Sequence, residues 1–249
     1  MRGSKACFQY NMVRTWGIQV KDLCIVIPAY LEEENLRLIL PRISNVLMSM
    51  SIDYEILIID TCKPMDQTPN VCTQYLDVRY INRIPGNFYG DAVRTGIREA
   101  NAHYVLFMDA DGSHTPEFIP VLFNRRVDHD VVIASRYTKG GGTDNSKILI
   151  VMSKIVNTMY SAVLNIKCKD VSNSYKLYRG NLLKDLELHC KNFDVVEELL
   201  FKLSRMNKIL RICEVPYVFK ARMFGHSKRN LIAFMFSFAF TLLKLRFRK

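Results

Sequence analysis

Three short apolar runs, each halted by an acidic or imino residue, constrain this chain more than any other feature. Leu23–Ile27 (LCIVI) stops at Pro28, Glu55–Ile59 (EILII) at Asp60 and Tyr104–Met108 (YVLFM) at Asp109. Continuous apolar runs of roughly four to eight residues read as strands buried on both faces, the signature of a parallel sheet. Val78–Ile81 and Val131–Ala134 read as two more strands. Between them, Glu33–Met50 and Gly90–Ala100 have helical periodicity, with Pro41 either kinking the first helix or marking its start. The alternation predicts an α/β fold, a mostly parallel central sheet flanked by helices. After residue 145 the texture changes: Ile148–Leu164 and Phe193–Met206 read as long helices and Ile209–Phe219 as a strand. No internal repeat or low-complexity linker interrupts the chain.

Charge is distributed unevenly. The 249 residues carry a net +11, of which +8 lies between Lys220 and Lys249, a stretch without Asp or Glu. With 49% hydrophobic and 11% aromatic residues the chain is not disordered. A basic end calls for a polyanion: nucleic acid, an anionic membrane surface or phosphorylated substrates. A nucleic-acid platform would interleave basic residues with exposed aromatics. Here the cations instead bracket an apolar segment, Leu231–Leu243, so no nucleic-acid partner is expected. As a helix that segment is too short for the ~30 Å hydrocarbon core. It suits the membrane interface or docking on an integral membrane partner, with packing on the domain as the other reading. Seven cysteines without a Cys-x-x-Cys pair read as reduced thiols. With no signal-peptide core, the expected location is cytoplasmic, peripheral on the cytoplasmic face of the membrane. The expected division is an N-terminal extension (1–21), one α/β domain (22–228) and a basic-apolar C-terminal helix (229–249).

The chemistry sits where the strands end. In open α/β sheets, ligands bind beyond the carboxyl ends of the strands. Those ends carry Pro28-Ala29-Tyr30, Asp60 and Asp109-Ala110-Asp111, and no dinucleotide or P-loop glycine pattern follows any of them. Two carboxylates one residue apart can converge on Mg²⁺ or Mn²⁺, which favour oxygen ligands and bridge to phosphates; alternatively, Asp111 caps a helix near Pro116. Two chemistries use such a pair: a nucleotide-sugar transferase and a haloacid-dehalogenase-type phosphatase. The second would place its motif at the end of a first strand, and its downstream Gly-Asp is missing here.

The ordered runs CIVIPAYLEEENL (24–36), EILIID (55–60) and GDAVRTGIREANAHYVLFMDADGSHTPEFIP (90–120) resemble glycosyltransferase family 2. ASRYTKGGG (134–142), KDVSNSYKLYR (169–179), FDVVEELLFKL (193–203) and EVPYVFKARMFGHSK (214–228) narrow the resemblance to its polyprenyl-phosphate sugar transferases. That group includes dolichol-phosphate mannose synthase. The resemblance implies a GT-A fold, a UDP- or GDP-sugar donor, Mg²⁺ or Mn²⁺, a polyprenyl phosphate acceptor and inversion at the anomeric carbon.

Roles carried over by the resemblance are these. Pro28, Ala29, Tyr30, Glu32 and Asp60 hold the nucleoside, Gly90 and Gly96 pack close beside the donor, and Asp109 and Asp111 bind the metal. Arg136, with Ser172 and Ser174 of the loop that begins at Asp170, meets the acceptor phosphate. Arg222 and Lys228 belong to a loop over the donor phosphates, Arg offering bidentate and Lys point-charge recognition. Glu198 matches a family carboxylate. A lipid phosphate is already a nucleophile, whereas a glycan hydroxyl, the alternative acceptor for this family, would require Glu197 or Glu198 as base. The chain departs from the family at Thr61 (usually Asp), Leu31 (commonly Asn) and Ser113 (Gln in some relatives). It also departs at Leu149 and Ile150, where relatives carry a basic residue that Lys147 or Lys154 would replace. Thr61 leaves open a transferase fold without catalysis.

Overall fold

A computed structural model describes residues 19–206, 209–224 and 240–247. Most of the expected N-terminal extension, Lys228 and the stretch 229–239 lie outside the described residues. Seven strands form one sheet in the order β3-β2-β1-β4-β7-β5-β8. Its first half is the predicted alternation: β1 (Lys21–Pro28), α1 (Glu33–Ser49), β2 (Tyr54–Asp60), the short α2 (Thr68–Cys72), β3 (Val78–Asn82), α3 (Tyr89–Glu99) and β4 (Ala102–Phe107). β1 pairs in parallel with both β2 and β4. The chain therefore winds outward in two directions from β1, the switch point at which such sheets bind ligands.

Both faces of this half are covered. Ile25, Ile27, Ile56 and Ile58 point to one face with Leu36, Ile39, Leu40 and Ile43 of α1. Cys24, Val26, Leu57 and Ile59 point to the other, with Ala92 and Val93 of α3. The alternation is the pleat itself, successive side chains taking opposite faces. α3 lies so close that a side chain on Gly90 would overlap the Cys190 carbonyl, and one on Gly96 would overlap Val26. Both glycines thus serve close packing of α3 on the domain. Pro41 sits inside α1, which runs through it.

The second half contains α4 (Ile119–Asn124), β5 (Val131–Ser135), β6 (Gly142–Thr143), α5 (Lys147–Leu164), β7 (Lys176–Arg179), α6 (Val195–Met206), β8 (Ile212–Pro216) and β9 (Val218–Phe219). β7 is antiparallel to its neighbours β4 and β5, making the sheet mixed. The single strand expected over 209–219 is two, β8 in the main sheet and β9 paired with β6. Asn165, at a φ of 53°, ends α5 in the left-handed conformation that Asn tolerates.

Residues 240–247 are helical. Leu242 and Leu245 join the core cluster that contains Leu199, Leu200 and Leu203 of α6, and the Thr241 hydroxyl donates to Asp194 at 2.7 Å. This part of the tail packs on the domain, while Phe240, Leu243 and Phe247 face outward. Six cysteines are described and all are unpaired. Burial pushes the Cys72 thiol up to about 12, keeping it protonated.

Candidate active site

A cavity of about 520 Å³ opens at the carboxyl ends of the first strands. Pro28, Ala29, Tyr30 and Glu32 line it from β1, Asp109 and Asp111 from β4, and Arg222 with Phe224 from the segment after β9. The sequence-predicted donor and metal residues thus meet in one cleft, apart from Gly90, which packs against Cys190, and Asp60. That carboxylate is buried behind the lining, where it accepts from the Tyr80 hydroxyl at 2.9 Å and from Thr61 at 3.4 Å. Burial raises its pKa, against the opposing pull of the Thr61 backbone N–H and the Tyr80 hydroxyl.

Asp109 is held from three sides. Its oxygens accept from the Tyr89 hydroxyl at 3.1 Å and the Ser174 hydroxyl at 3.0 Å. Its backbone N–H donates to His114 Nδ1 at 2.9 Å, which leaves the neutral ring's proton on Nε2, 3.9 Å from Asp109 Oδ2. His114 is fully buried and stacks on Tyr175 at 4.5 Å; burial holds its pKa below the ordinary value, outweighing Asp109 and Asp111. Tyr175 donates to the Thr115 carbonyl and Tyr217 to the Ser113 carbonyl, at 2.9 and 2.7 Å. The whole 109–115 loop is therefore tied to buried aromatic side chains.

Asp111 caps no helix; it folds on its own loop. Ser113 donates to Oδ1 from its N–H at 3.0 Å and its hydroxyl at 2.5 Å, while Arg222 Nη2 stands 3.0 Å from Oδ2. Burial raises this carboxyl, but Ser113, His114 and Arg222 together outweigh it and keep its pKa below the ordinary value. Arg222 also reaches Glu32 Oε1 at 3.4 Å. Burial raises the Glu32 pKa, with Asn35 and Arg222 opposing. A guanidinium thus sits between two carboxylates at the cleft, so the site accepts positive charge. Hard oxygen donors at Asp109 and Asp111 fit a divalent cation of the Mg²⁺ or Mn²⁺ type.

The residues expected at the acceptor phosphate form a second cluster. Arg136 grips Asp170 bidentately, Nε to Oδ2 at 2.8 Å and Nη2 to Oδ1 at 2.6 Å, and Nη2 also donates to Ser172 at 3.0 Å. Burial works against the charge on Arg136, but Asp170 more than offsets it and raises the pKa. Ser174 lies with Asp109 rather than with Arg136, linking this loop to the carboxylate pair. Lys147 is exposed at the start of α5 and makes no hydrogen bond or ion pair among the described residues. Glu198 is committed to structure: it accepts from the N–H groups of His189 and Cys190 at 2.7–3.0 Å and pairs with Lys202.

Residues outside the sequence expectation also build the cleft. Arg83 is buried, with Nε donating to the Asp60 carbonyl and Nη1 to those of Asn87 and Phe88; Nη2 reaches Ala29. It staples the ends of β1 and β2 to the start of α3. Tyr89 stacks on Phe193 with ring centroids 4.2 Å apart. Neither carries a sequence signal, since each acts through partners distant in the chain.

A mixed sheet with its cleft at the switch point, a carboxylate pair at the end of β4 and a basic segment across the mouth define a sugar-nucleotide transferase of the GT-A architecture. The chain belongs to glycosyl transferase family 2, whose family model matches residues 24–187. It is 31% identical to a dolichol-phosphate mannosyltransferase of Pyrococcus furiosus over 82% of this chain and 58% of that protein. It thus spans little more than half the length of that relative. An undecaprenyl-phosphate mannosyltransferase of Micrococcus luteus is 29% identical, over 82% of this chain and 86% of the relative. The fold is shared with glucosyl-3-phosphoglycerate synthase of Mycobacterium tuberculosis, solved with Mn²⁺, UDP and phosphoglyceric acid. That structure superposes with a TM-score of 0.70 at 16% identity, covering 91% of this chain and 79% of that one. The same enzyme has been solved with Mg²⁺ and UDP. Neither the family match nor the fold supports a phosphatase.

Proposed function

We propose that the protein transfers a sugar from a UDP- or GDP-sugar to a polyprenyl phosphate at the cytoplasmic membrane surface, with inversion at the anomeric carbon. The observation that carries this reading is the Ser174–Asp109 hydrogen bond, which joins the carboxylate cleft to the Arg136–Asp170–Ser172 cluster. Donor diphosphate and acceptor phosphate would then meet across one hydroxyl.

Residues 28–32 cup the nucleoside, and Asp109 and Asp111 would hold the divalent cation. When bound, the cation neutralises charge on the leaving diphosphate. Arg222 exchanges its two carboxylates for the donor phosphates, with Lys228 supplying a second positive charge. Arg136 keeps its Nε edge on Asp170 and turns Nη1, unused in the bonds to Asp170 and Ser172, toward the acceptor. The acceptor's phosphate oxygen attacks C1, the bond from C1 to the diphosphate oxygen breaks, and the nucleoside diphosphate leaves. An ionised phosphate needs orientation and charge balance rather than a base, consistent with Glu198 being tied to backbone amides.

A donor screen tests this. Purified protein, UDP- and GDP-sugars, Mn²⁺ or Mg²⁺ and undecaprenyl phosphate should give a lipid-linked sugar that Asp111→Ala does not form. Absence of both transfer and donor hydrolysis with every donor would refute the enzyme reading; transfer only to glycan hydroxyls would refute the acceptor.

A further inference from the structure

The loop that joins the two clusters is folded round a buried charge. Strand pairing sets Lys176 of β7 beside Phe107 of β4 and Ile133 of β5. Both neighbours belong to the apolar core, and Lys176 is itself fully buried, a position that lysine almost never takes unless paired. An ammonium taken out of water persists only where hydrogen bonds and opposite charges replace its hydration. Here Nζ donates to the Val171 carbonyl at 2.8 Å and also to the Asn173 carbonyl. Burial lowers its pKa; Cys168 and the buried carboxylates Asp170 and Glu197 pull the other way, while Arg136 adds to the fall.

The Val171 and Asn173 carbonyls thus point in at one ammonium, and the side chains around them point out. Asp170 and Ser172 hold Arg136. Asn173 donates to the Ala134 carbonyl in β5, and Ser174 donates to Asp109 at 3.0 Å. β7 itself lies between β4, which leads to Asp109, and β5, which leads to Arg136. We propose that Lys176 is a positioning residue. By gathering these two carbonyls it sets the separation between Ser174 at Asp109 and the Asp170–Ser172 grip on Arg136, and so between donor diphosphate and acceptor phosphate. The proposal deepens the function above and rests on it for the two phosphates.

The test compares the full-length wild type with two variants. Lys176→Met keeps the length and loses every donor; Lys176→Gln keeps a shorter, uncharged one. Each receives divalent cation, the sugar nucleotide that wild type uses and undecaprenyl phosphate in detergent, and both lipid-linked and free sugar are measured. Where the acceptor is misplaced, water attacks C1 in place of the phosphate oxygen, giving free sugar and nucleoside diphosphate. The ratio of transfer to hydrolysis should fall roughly tenfold in Lys176→Met, whose two buried carbonyls lose their partner, and less in Lys176→Gln. Donor KM should stay at the wild-type value. Partial unfolding removes both products equally, so a constant ratio with a lower Tm would overturn the positioning role. Should Lys176→Met not fold, an unchanged ratio in Lys176→Gln overturns it alike. Hydrogen exchange needs no turnover. The Asp170 and Ser172 amides, bonded to Glu214 and Asn157, should exchange about tenfold faster in a folded variant, with β1 and β2 amides unchanged. Wild-type exchange at both amides would overturn the role of Lys176 in folding the loop. A wild type that neither transfers nor hydrolyses with any donor refutes the function above, and exchange alone then decides whether Lys176 folds the loop.

Discussion

The floor of the cleft and the segment crossing its mouth are held in opposite ways. Asp109 is fixed by the Tyr89 and Ser174 hydroxyls and by a backbone bond to buried His114, within a loop tied to Tyr175 and Tyr217. Arg222, 37% exposed at its side chain, is held by ion pairs to Glu32 and Asp111. Neutral hydrogen bonds from behind leave the Asp109 charge in place for a ligand and cost no reorganisation when it arrives. Ion pairs across a partly exposed gap exchange readily for a better anion. The floor is fixed by hydrogen bonds from behind, the crossing segment by partly exposed ion pairs.

Breaking the floor should cost most. Asp111→Ala should lower transfer by on the order of 10³-fold or more, and chelation of divalent cations should do the same to wild type, both read as lipid-linked product formed. Next comes the acceptor cluster: Asp170→Ala strands the largely buried Arg136 charge, and loss of such a partner typically costs about 3–5 kcal/mol, read by denaturant unfolding. Breaking the crossing segment should be milder and purely functional. Arg222→Ala should reduce kcat/KM by roughly ten- to a hundredfold while leaving Tm near wild type, because exposed pairs contribute little to stability. A large fall in Tm would mean that Arg222 belongs to the floor after all.

This contrast also explains what the sequence made legible. LCIVI, EILII and YVLFM announce strands because burial on both faces demands unbroken apolar runs, and their terminal residues mark the site because the sheet delivers every strand end to one edge. β7 was hidden: Lys176–Arg179 is four residues long, and its antiparallel place between β4 and β5 depends on tertiary pairing. Arg83 and Tyr89 were hidden because their partners lie on other elements. Ser174, expected at the acceptor phosphate, lies against Asp109, a contact that joins the two clusters. On α5 helical periodicity was plain, but the outward direction of its aliphatic stripe was not. Periodicity fixes a stripe on a helix, not which way the stripe faces.

Glu198 sharpens the comparison from behind the floor. Burial raises its pKa, but the Cys190 and His189 amides and Lys202 outweigh it and depress the folded value. A depressed carboxyl contributes stability that is present above its unfolded pKa and lost as pH falls through the folded one. Wild type should therefore lose stability on acidification below the ordinary glutamate range. Glu198→Gln should be less stable at neutral pH by about 1.5–3 kcal/mol, the cost of charge-assisted bonds, with a shallower acid slope. Parallel slopes in urea titrations across pH would remove Glu198 from the scaffold that holds the cleft.

The smallest effect is at the rim, where Leu31 occupies a left-handed backbone with φ of 57° and is 44% exposed. Leucine disfavours this region, whereas Asn visits it through local hydrogen bonds, so the family's common Asn is the conformationally relaxed choice here. Leu31→Asn should stabilise the protein by about 1 kcal/mol or less, seen as a higher Tm. If the strain only shapes the turn, donor KM is unchanged. If the exposed leucine packs against the nucleoside, KM rises as Tm rises, and this rim residue joins Tyr30 in the donor site. The two readings move KM differently at the same Tm, so one titration separates a strained turn from a binding contact.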